Sequence, residues 1–325
     1  MSDFTQFGGA PKGPNHLAAW SALTGVQLAQ ADPVWDFGWA PPPLAHLAAV
    51  RRTVSDAAPH LRGTWDGKTS FSLWDVGKRL QGAFLPAQRQ TLGTCVSRGY
   101  SLALNLLQFT QMAAGARLEF KPVAHAPIYG GSRELAGILG PPGQDGSFGD
   151  AAARWVKEYG NAHLEEVADR YESDQLAGQM GWRGVPAAVK ELCKDNLVGD
   201  TALVTSFAEA ADMIWNGKPV PVCSGQGFTM ERDADGFCRP QGSWAHCMCF
   251  GAVIVLPDGR RGLGCGQSWG DNTPSGPLLA GCPDYVFGVD EATAGRMLSG
   301  RDSFALAGLT GWAPQSWPLD WILWR

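Results

Sequence analysis

Hydrophobic residues recur at helical spacing through the first two thirds of the chain and in short alternating runs after that. The clearest helix begins at or beside Cys95 and continues to Met112, where Ala113-Ala114-Gly115 indicates a stop. The same spacing predicts further helices at 44–54, 150–159, 185–193 and 207–215. In contrast, the pattern predicts extended chain over 118–128, a glycine-rich turn at 129–132 and a loop over 140–146.

After Gly217 the pattern changes to short strands separated by glycine, aspartate and proline. Strands are predicted at 219–224, 245–255, 261–266 and 285–289. Helices followed by strands indicate an α+β protein of two halves, with a site in the cleft between them. We predict an N-terminal extension over 1–80, a helical half over 81–216 and a β-rich half over 217–325. The extension contains no residues with a recognisable catalytic or binding pattern. Three roles remain open: packing on the main domain, docking to a partner, or action as an inhibitory prosegment.

Composition and charge restrict the class of protein. The 325 residues are 45% hydrophobic and 18% charged, which is typical of a folded protein. The net charge of −5 comes without a basic block, which argues against nucleic-acid binding. The apolar runs are too short to cross a membrane, and the first residues do not resemble a secretory signal. Eight cysteines in a chain of this length predict free thiols made in a reducing, cytoplasmic compartment.

Cys95 is the first candidate for chemistry. A thiol at a helix N-terminus feels the positive end of the helix dipole and nearby backbone N–H groups, both of which favour the thiolate. Gly93 precedes it and a helix follows, so the turn presents the side chain at an edge. The alternative is a buried structural cysteine.

A thiolate nucleophile needs a base, and His246 is the strongest candidate among six histidines. It lies in an apolar strand, where period-two alternation places it on the opposite face from Cys247 and Cys249. Downstream, the stretch 264–272 contains Gln267, whose side-chain carbonyl can accept from the far N–H of the histidine and fix its tautomer. A core histidine bonded to a backbone carbonyl and a plain glycine-rich turn are the simpler interpretations.

Together these pieces resemble the papain-like cysteine peptidase superfamily. In that superfamily a glutamine and Gly-x-Cys opening a helix precede a histidine in a small-residue strand and then Asn-Ser-Trp-Gly. In the same order, this chain has Gln90-Thr91-Leu92-Gly93-Thr94-Cys95, then His246, then Gln267-Ser268-Trp269-Gly270. The resemblance covers roughly residues 75–290. It implies a helical half with the nucleophile and an antiparallel, β-barrel-like half with the histidine.

The resemblance also implies roles. Cys95 would attack a peptide or isopeptide carbonyl, and His246 would pair with it as imidazolium and then protonate the leaving group. Gln267 would orient His246. Gln90 and the backbone N–H of Cys95 would stabilise the oxyanion. The substrate would be a polypeptide, and no cofactor would be needed.

Further residues of the substrate site are implied by the same resemblance. The pair Gly130 and Gly131 would hydrogen-bond extended substrate backbone, and Trp269 would line the site and shield the bond to the histidine. The chain departs from the family pattern in three places. Gln267 replaces the usual asparagine, Val96 replaces a common aromatic residue, and Gln90 is five rather than six residues before the cysteine.

The shorter spacing resembles divergent papain-like members encoded by tailed phages, as do residues 217–224 and 232–240. This closer resemblance implies a virion or assembly role, including a catalytically retired protein that keeps the fold for binding.

Two other chemistries remain open. Cys247 and Cys249, with Cys223, Cys265 or His246, would supply zinc ligands, although strand alternation turns the histidine away and no Cys-x-x-Cys pair exists. A transglutaminase or amidase uses similar Cys/His chemistry but normally an acid as the third member. Asp271 is the nearby acid. We predict no metal site.

Overall fold

The computed structural model describes residues 10–12, 34–42, 51–66, 68–141, 143–167, 174–318 and 321. Its helices are α1 (Val54–Ala57), α2 (Leu73–Gln81), α3 (Cys95–Ala113), α4 (His125–Ala136), α5 (Gly149–Glu158), α6 (Asp174–Arg183), α7 (Ala187–Cys193), α8 (Phe207–Trp215) and α9 (Glu291–Ser299). Its strands are β1 (Ala10–Lys12), β2 (Val34–Asp36), β3 (Phe71–Ser72), β4 (Asp200–Leu203), β5 (Val220–Arg232), β6 (Cys238–Val255), β7 (Arg261–Gly266), β8 (Val286–Asp290) and β9 (Phe304–Ala307).

Helix α3 is the central element of the helical half. Every residue from Cys95 to Leu107 is buried, as expected of a helix whose residues are small or apolar on most sides. The helix packs against α2, α4 and strand β6. Gly99 permits the close approach of the strand, because a Cβ there would lie 2.9 Å from the Sγ of Cys247. This contact brings the start of α3 to the middle of β6.

Strand β6 is the axis of a seven-stranded sheet. Strand β5 pairs with it antiparallel along one edge, and β7 pairs antiparallel along the other from Cys249 onward. Strand β2 adds a parallel ladder to residues 243–245, and β3 pairs with residues 252–253. Strand β1 continues beyond β2, and β8 continues beyond β7. Strands β4 and β9 form a separate antiparallel pair.

The predicted α+β class is confirmed, but the predicted β-barrel-like closure is wrong. The order β1-β2-β6-β7-β8 is an open path, and the described strands β5 and β8 form no ladder with each other. Helix α9 follows β8 directly and packs on β5, β7 and β8. A helix therefore covers this part of the sheet where a barrel would need further strand pairing.

Most of the predicted elements are present. The helices predicted at Cys95, 150–159, 185–193 and 207–215 correspond to α3, α5, α7 and α8, and the four predicted strands to β5–β8. Strands β5 and β6 are longer than predicted. The helix predicted at 44–54 lies largely outside the described residues. The domain boundaries at 80 and 216 stay predictions, although β2 and β3 come from before residue 81 and pair with β6.

The segment predicted as extended chain and a glycine-rich turn at 118–132 is in part a helix. Helix α4 includes Gly130 and Gly131, both buried. A Cβ at Gly130 would lie 2.5 Å from the Cβ of Met180, and one at Gly131 would lie 2.0 Å from the ring of Trp155. The two glycines therefore allow close packing with α6 and α5, which local propensity does not reveal.

In the part of the chain that the structure describes, no helix combines the length and apolar character needed to cross a membrane.

Candidate active site

Cys95 is the first residue of α3, and its side chain is completely buried. Its Sγ accepts a hydrogen bond from the backbone N–H of Cys247 at 3.3 Å. The sulfur therefore lies against strand β6 at the residue that follows His246. The helix dipole and the backbone donor both favour negative charge on this sulfur.

The sulfur lies in a gap along one edge of β6. Strand β2 pairs with this strand up to Ala245, and β7 begins its ladder at Cys249. Residues 246–248 lie between these two partners on the same edge. Within this gap, the backbone N–H of Cys247 donates to the Cys95 thiol instead of to a strand carbonyl.

His246 is also completely buried, in an aromatic environment. Its ring stacks on Trp269 at 5.2 Å between centroids and contacts Phe37 at 4.8 Å. Within the described ranges, neither ring nitrogen has a hydrogen-bond partner. Burial lowers the pKa of His246 to about 3, so the imidazole is neutral at physiological pH. Among the described residues, no hydrogen bond therefore joins the Cys95 thiol to the His246 imidazole.

Gln267 does not bond to His246 in this state. Its side-chain carbonyl accepts from the backbone N–H of Trp269, and its amide donates to the carbonyl of Asn272 at 3.2 Å. The structure brings Gln267 and Trp269 to the site, but only Trp269 touches the histidine ring.

Backbone hydrogen bonds join the Gln90 stretch to the Gln267 stretch. Gln90 N–H donates to the carbonyl of Ser268 at 3.0 Å, and Gly270 N–H donates to the carbonyl of Gln88 at 2.8 Å. The side chain of Gln90 accepts from Ser268 Oγ at 2.7 Å, and its Nε2 donates to the carbonyls of Phe37 at 3.1 Å and Leu92 at 3.2 Å. Two motifs that are far apart in sequence are thereby held together in register.

Residues 34–42, called the occluding segment below, cover the site. Phe37 N–H donates to the carbonyl of Ala245 at 2.9 Å, and the Phe37 carbonyl accepts from Gln90 Nε2 at 3.1 Å. The ring of Phe37 is completely buried and contacts His246 and Trp269. Phe37 therefore covers one side of the His246 ring.

The occluding segment continues across the cleft to the helical half. Gly38 accepts from Ser147 N–H at 2.8 Å, and Ala40 N–H donates to the carbonyl of Ser147 at 3.1 Å. The indole of Trp39 donates back to the β-rich half, to Asp302 at 2.8 Å. Ser147 thus pairs with the backbone of this segment, and the role of Gly130 and Gly131 in binding substrate backbone stays a prediction.

Sequence reasoning missed the occluding segment because its partners lie far away in the chain. The available signal was a glycine between two aromatic residues, Phe37-Gly38-Trp39, in a stretch with no clear periodicity. A buried aromatic–glycine pair outside a regular element indicates a close backbone approach.

Asp174 holds the turn that carries the candidate nucleophile. Its carboxylate accepts from the backbone N–H groups of Thr91 and Leu92 and from the hydroxyl of Thr94 at 2.9 Å. Arg98 pairs with it at 3.0 Å. Burial acts to raise the pKa of Asp174, but Arg98 and the donors of the turn outweigh burial and hold the pKa below its ordinary value. Sequence reasoning gave no role to this residue.

All eight cysteines are buried thiols without disulfides. Among the residues described, no group of three or more His, Cys, Asp or Glu side chains is arranged to hold a metal ion.

Comparison with solved structures supports the fold. Xylellain, a cysteine protease from Xylella fastidiosa, matches with a TM-score of 0.57 at 12% identity over 84% of this chain and 96% of that chain. Procathepsin L2 from the larval midgut of Tenebrio molitor gives 0.53 at 15% identity over 84% and 78%. The proform of Amb a 11, a cysteine protease of ragweed pollen, gives 0.50 at 12% identity over 83% and 76%.

No family model matches the sequence, and no curated protein matches it. Identities of 12–15% show a common fold and no more. The chain therefore has the papain-like fold that its motifs predicted.

Proposed function

We propose that this protein is a papain-like cysteine peptidase held in a closed state. The observation that carries the proposal is the hydrogen bond from Cys247 N–H to Cys95 Sγ, which sets the sulfur at a helix N-terminus beside the strand residue His246. Fold alone does not imply function. The support comes from three separate stretches of sequence that meet at this edge of β6.

In the open state, Cys95 attacks the carbonyl carbon of a polypeptide, and Gln90 Nε2 donates to the developing oxyanion. His246 takes the thiol proton and delivers it to the leaving amine. A substrate from outside requires the occluding segment to move first, because Phe37 covers the His246 ring and the Phe37 carbonyl occupies Gln90 Nε2. These steps also require Gln267 to release the backbone of Trp269 before it orients the histidine.

A substitution at Gly38 tests the proposal by opening the site. Its φ is +105°, and a Cβ there would lie 2.0 Å from the carbonyl oxygen of Gly93, so Gly38→Val expels the segment. We expect at least a tenfold faster reaction of Cys95 with iodoacetamide, measured by peptide mapping. Hydrolysis of fluorogenic peptides should rise in parallel, and His246→Ala should abolish both gains.

Gly259→Val is the matched control. Gly259 has a φ of +89° but no atom within 4 Å of its Cβ position, so it carries similar backbone strain away from the cleft. Its labelling rate should equal that of the wild type. If Cys95 in Gly38→Val reacts no faster than the other seven cysteines, the proposal fails.

A catalytically retired papain-like protein is the second candidate. It is favoured by the commitment of the Gln267 carbonyl to Trp269 and by the absence of any described hydrogen-bond partner for the His246 ring. In this interpretation the fold serves binding or assembly, and the resemblance to phage-encoded members suggests a virion. Equal labelling of all cysteines after opening would support it.

A further inference from the structure

The occluding segment enters the cleft as an added strand. Strand β2 pairs in parallel with residues 243–245, and Phe37 N–H continues that ladder to the carbonyl of Ala245. Peptides that bind sheet edges use this same addition of backbone hydrogen bonds. The segment therefore binds the β-rich half through its backbone.

The ladder changes at the Phe37 carbonyl. In a parallel ladder the next donor on β6, Cys247 N–H, would bond to this carbonyl. Instead Cys247 N–H donates to Cys95 Sγ at 3.3 Å, and the Phe37 carbonyl accepts from Gln90 Nε2 at 3.1 Å. Cys95 Sγ thus replaces the Phe37 carbonyl as the acceptor for Cys247 N–H. The candidate oxyanion donor, Gln90, binds the Phe37 carbonyl oxygen in its place.

Both halves hold the chain on the other side of this carbonyl. The Gly38 carbonyl and the Ala40 N–H bond to Ser147 of the helical half, whereas the Trp39 N–H donates to the Ala245 carbonyl at 3.4 Å and the Trp39 indole donates to Asp302, both in the β-rich half. The Phe37–Gly38 peptide bond therefore lies between backbone hydrogen bonds to β6 on one side and to both halves on the other. A polypeptide that spans a cleft for cleavage must be held in this way on both sides of the reacting bond.

Both residues of this bond fit defined surroundings. The ring of Phe37 is buried against His246, Trp269 and the edge of Trp244. Gly38 has a left-handed φ and packs against Gly93 so closely that any side chain would collide with that backbone. The first position accepts an aromatic ring, and the second accepts only glycine.

We infer that the cleft recognises an aromatic residue followed by glycine, and that the Phe37–Gly38 bond of the chain itself is the first bond it cleaves. This inference rests on the proposed function. Self-cleavage would release residues 1–37 and leave a mature chain beginning at Gly38.

The reaction balances with water as the second reactant. Cys95 sulfur bonds to the carbonyl carbon of Phe37, and the bond from that carbon to the nitrogen of Gly38 breaks. His246 carries the thiol proton to the departing amine. Water then attacks the thioester, with His246 taking its proton and returning it to the sulfur, and Phe37 leaves as a carboxylate.

The test follows the full-length protein during incubation under reducing conditions, by intact mass and N-terminal sequencing. We expect a fragment that begins at Gly38, with a half-time independent of protein concentration, as for cleavage within one molecule. Cys95→Ala, with its folding checked by thermal melting, should remain intact. Phe37→Ala should slow the cleavage at least tenfold, because it removes the ring that fills the aromatic pocket.

A second measurement tests recognition in trans. The opened full-length variant Gly38→Val is given two fluorogenic peptides, one containing the sequence of residues 36–39, Asp-Phe-Gly-Trp, and one with alanine in place of the glycine. We expect at least a tenfold preference in kcat/KM for the glycine peptide. The Gly259→Val variant should hydrolyse the peptides only after its own Phe37–Gly38 bond has been cleaved.

The outcomes separate this inference from the proposed function. Cleavage that depends on Cys95 but falls at another bond, or equal hydrolysis of the two peptides, overturns the inference and leaves a peptidase. An intact wild-type chain together with active Gly38→Val would make the segment an inhibitor that is not a substrate, which also overturns it. Loss of Cys95 reactivity in every variant overturns the proposed function itself.

Discussion

His246 and His125 are both buried, but their surroundings are opposite. His125 Nδ1 lies 3.3 Å from Ser97 Oγ, and its Nε2 lies 3.7 Å from a carboxylate oxygen of Asp174. His246 is enclosed by aromatic rings and has no hydrogen-bond partner among the described residues. Residue types alone would select the first cluster, because it contains a serine, a histidine and an aspartate.

The polar cluster is nevertheless structural. Ser97 Oγ donates back to the carbonyl of Thr94 at 2.9 Å, and Asp174 is committed to the turn before Cys95. These hydrogen bonds commit the Ser97 hydroxyl proton and the Asp174 carboxylate to local structure. His246 is the reverse case, since a buried ring without polar partners costs free energy unless another state supplies them. The comparison teaches that residue types alone do not separate groups engaged in local structure from a buried imidazole whose nitrogens have no described partner.

The largest effect should come from removing the carboxylate of the polar cluster. Asp174→Ala leaves the guanidinium of Arg98 buried without this partner and the turn at Thr91 and Leu92 without its acceptor. We expect a loss of about 3–5 kcal/mol in the free energy of unfolding, measured in urea. Asp195→Ala, an exposed aspartate, is the control and should change stability by less than about 0.5 kcal/mol. A loss below about 1 kcal/mol for Asp174→Ala would show that the turn before Cys95 is stable without the carboxylate.

The burial of His246 among aromatic rings should make the free energy of unfolding depend on pH. The folded pKa of His246 is about 3 against an ordinary 6.5, so between these values the unfolded chain binds more protons. The stability that comes from keeping His246 neutral is fully present above pH 6.5 and is lost as the pH falls toward 3. Between pH 6.5 and 5 the free energy of unfolding should fall by about 2 kcal/mol, at about 1.4 kcal/mol per pH unit.

His246→Gln is the variant that isolates this effect. From pH 6.5 to 5, the unfolding free energy of the wild type should fall by about 2 kcal/mol relative to that of the variant, because only the wild type carries the histidine. Parallel curves would mean that the ring is already protonated or exposed in the folded protein.

The smallest effect should come from Ser97. Ser97→Ala removes the buried hydrogen bonds to the Thr94 carbonyl and to His125 Nδ1 and should cost about 1–2 kcal/mol. When Ser97→Ala is combined with Gly38→Val, iodoacetamide should label Cys95 at the same rate as in Gly38→Val alone. A fluorophosphonate probe, which reacts with catalytic serines, should label neither form. Labelling of Ser97 would reverse the comparison of the two histidines.

Much of the fold follows from local pattern. The helix that begins at Cys95 and the strand that carries His246 were both predictable. The spacing of apolar residues within each segment distinguishes a helix from a strand, and that spacing depends only on residues near in sequence. Gly130 and Gly131 were misplaced because a glycine pair is typical of turns, whereas here it accommodates the side chains of two neighbouring helices.

The candidate site was predictable only in part. The order of the stretches around Gln90, Cys95, His246 and Gln267 pointed to one cleft, but their hydrogen bonds did not follow from it. In the structure the Gln267 carbonyl bonds to Trp269 instead of the histidine. Side-chain choices between nearby donors depend on the surrounding packing and not on spacing along the chain.

The sequence by itself determined that a helix begins at Cys95, that a thiol stands at its start, and which face of β6 carries His246. Only the tertiary structure decided that residues 34–36 pair with residues 243–245 and that Phe37 covers the imidazole. The physical reason is that periodicity records which face of an element is apolar, while the identity of the surface that covers it depends on contacts between residues some two hundred positions apart.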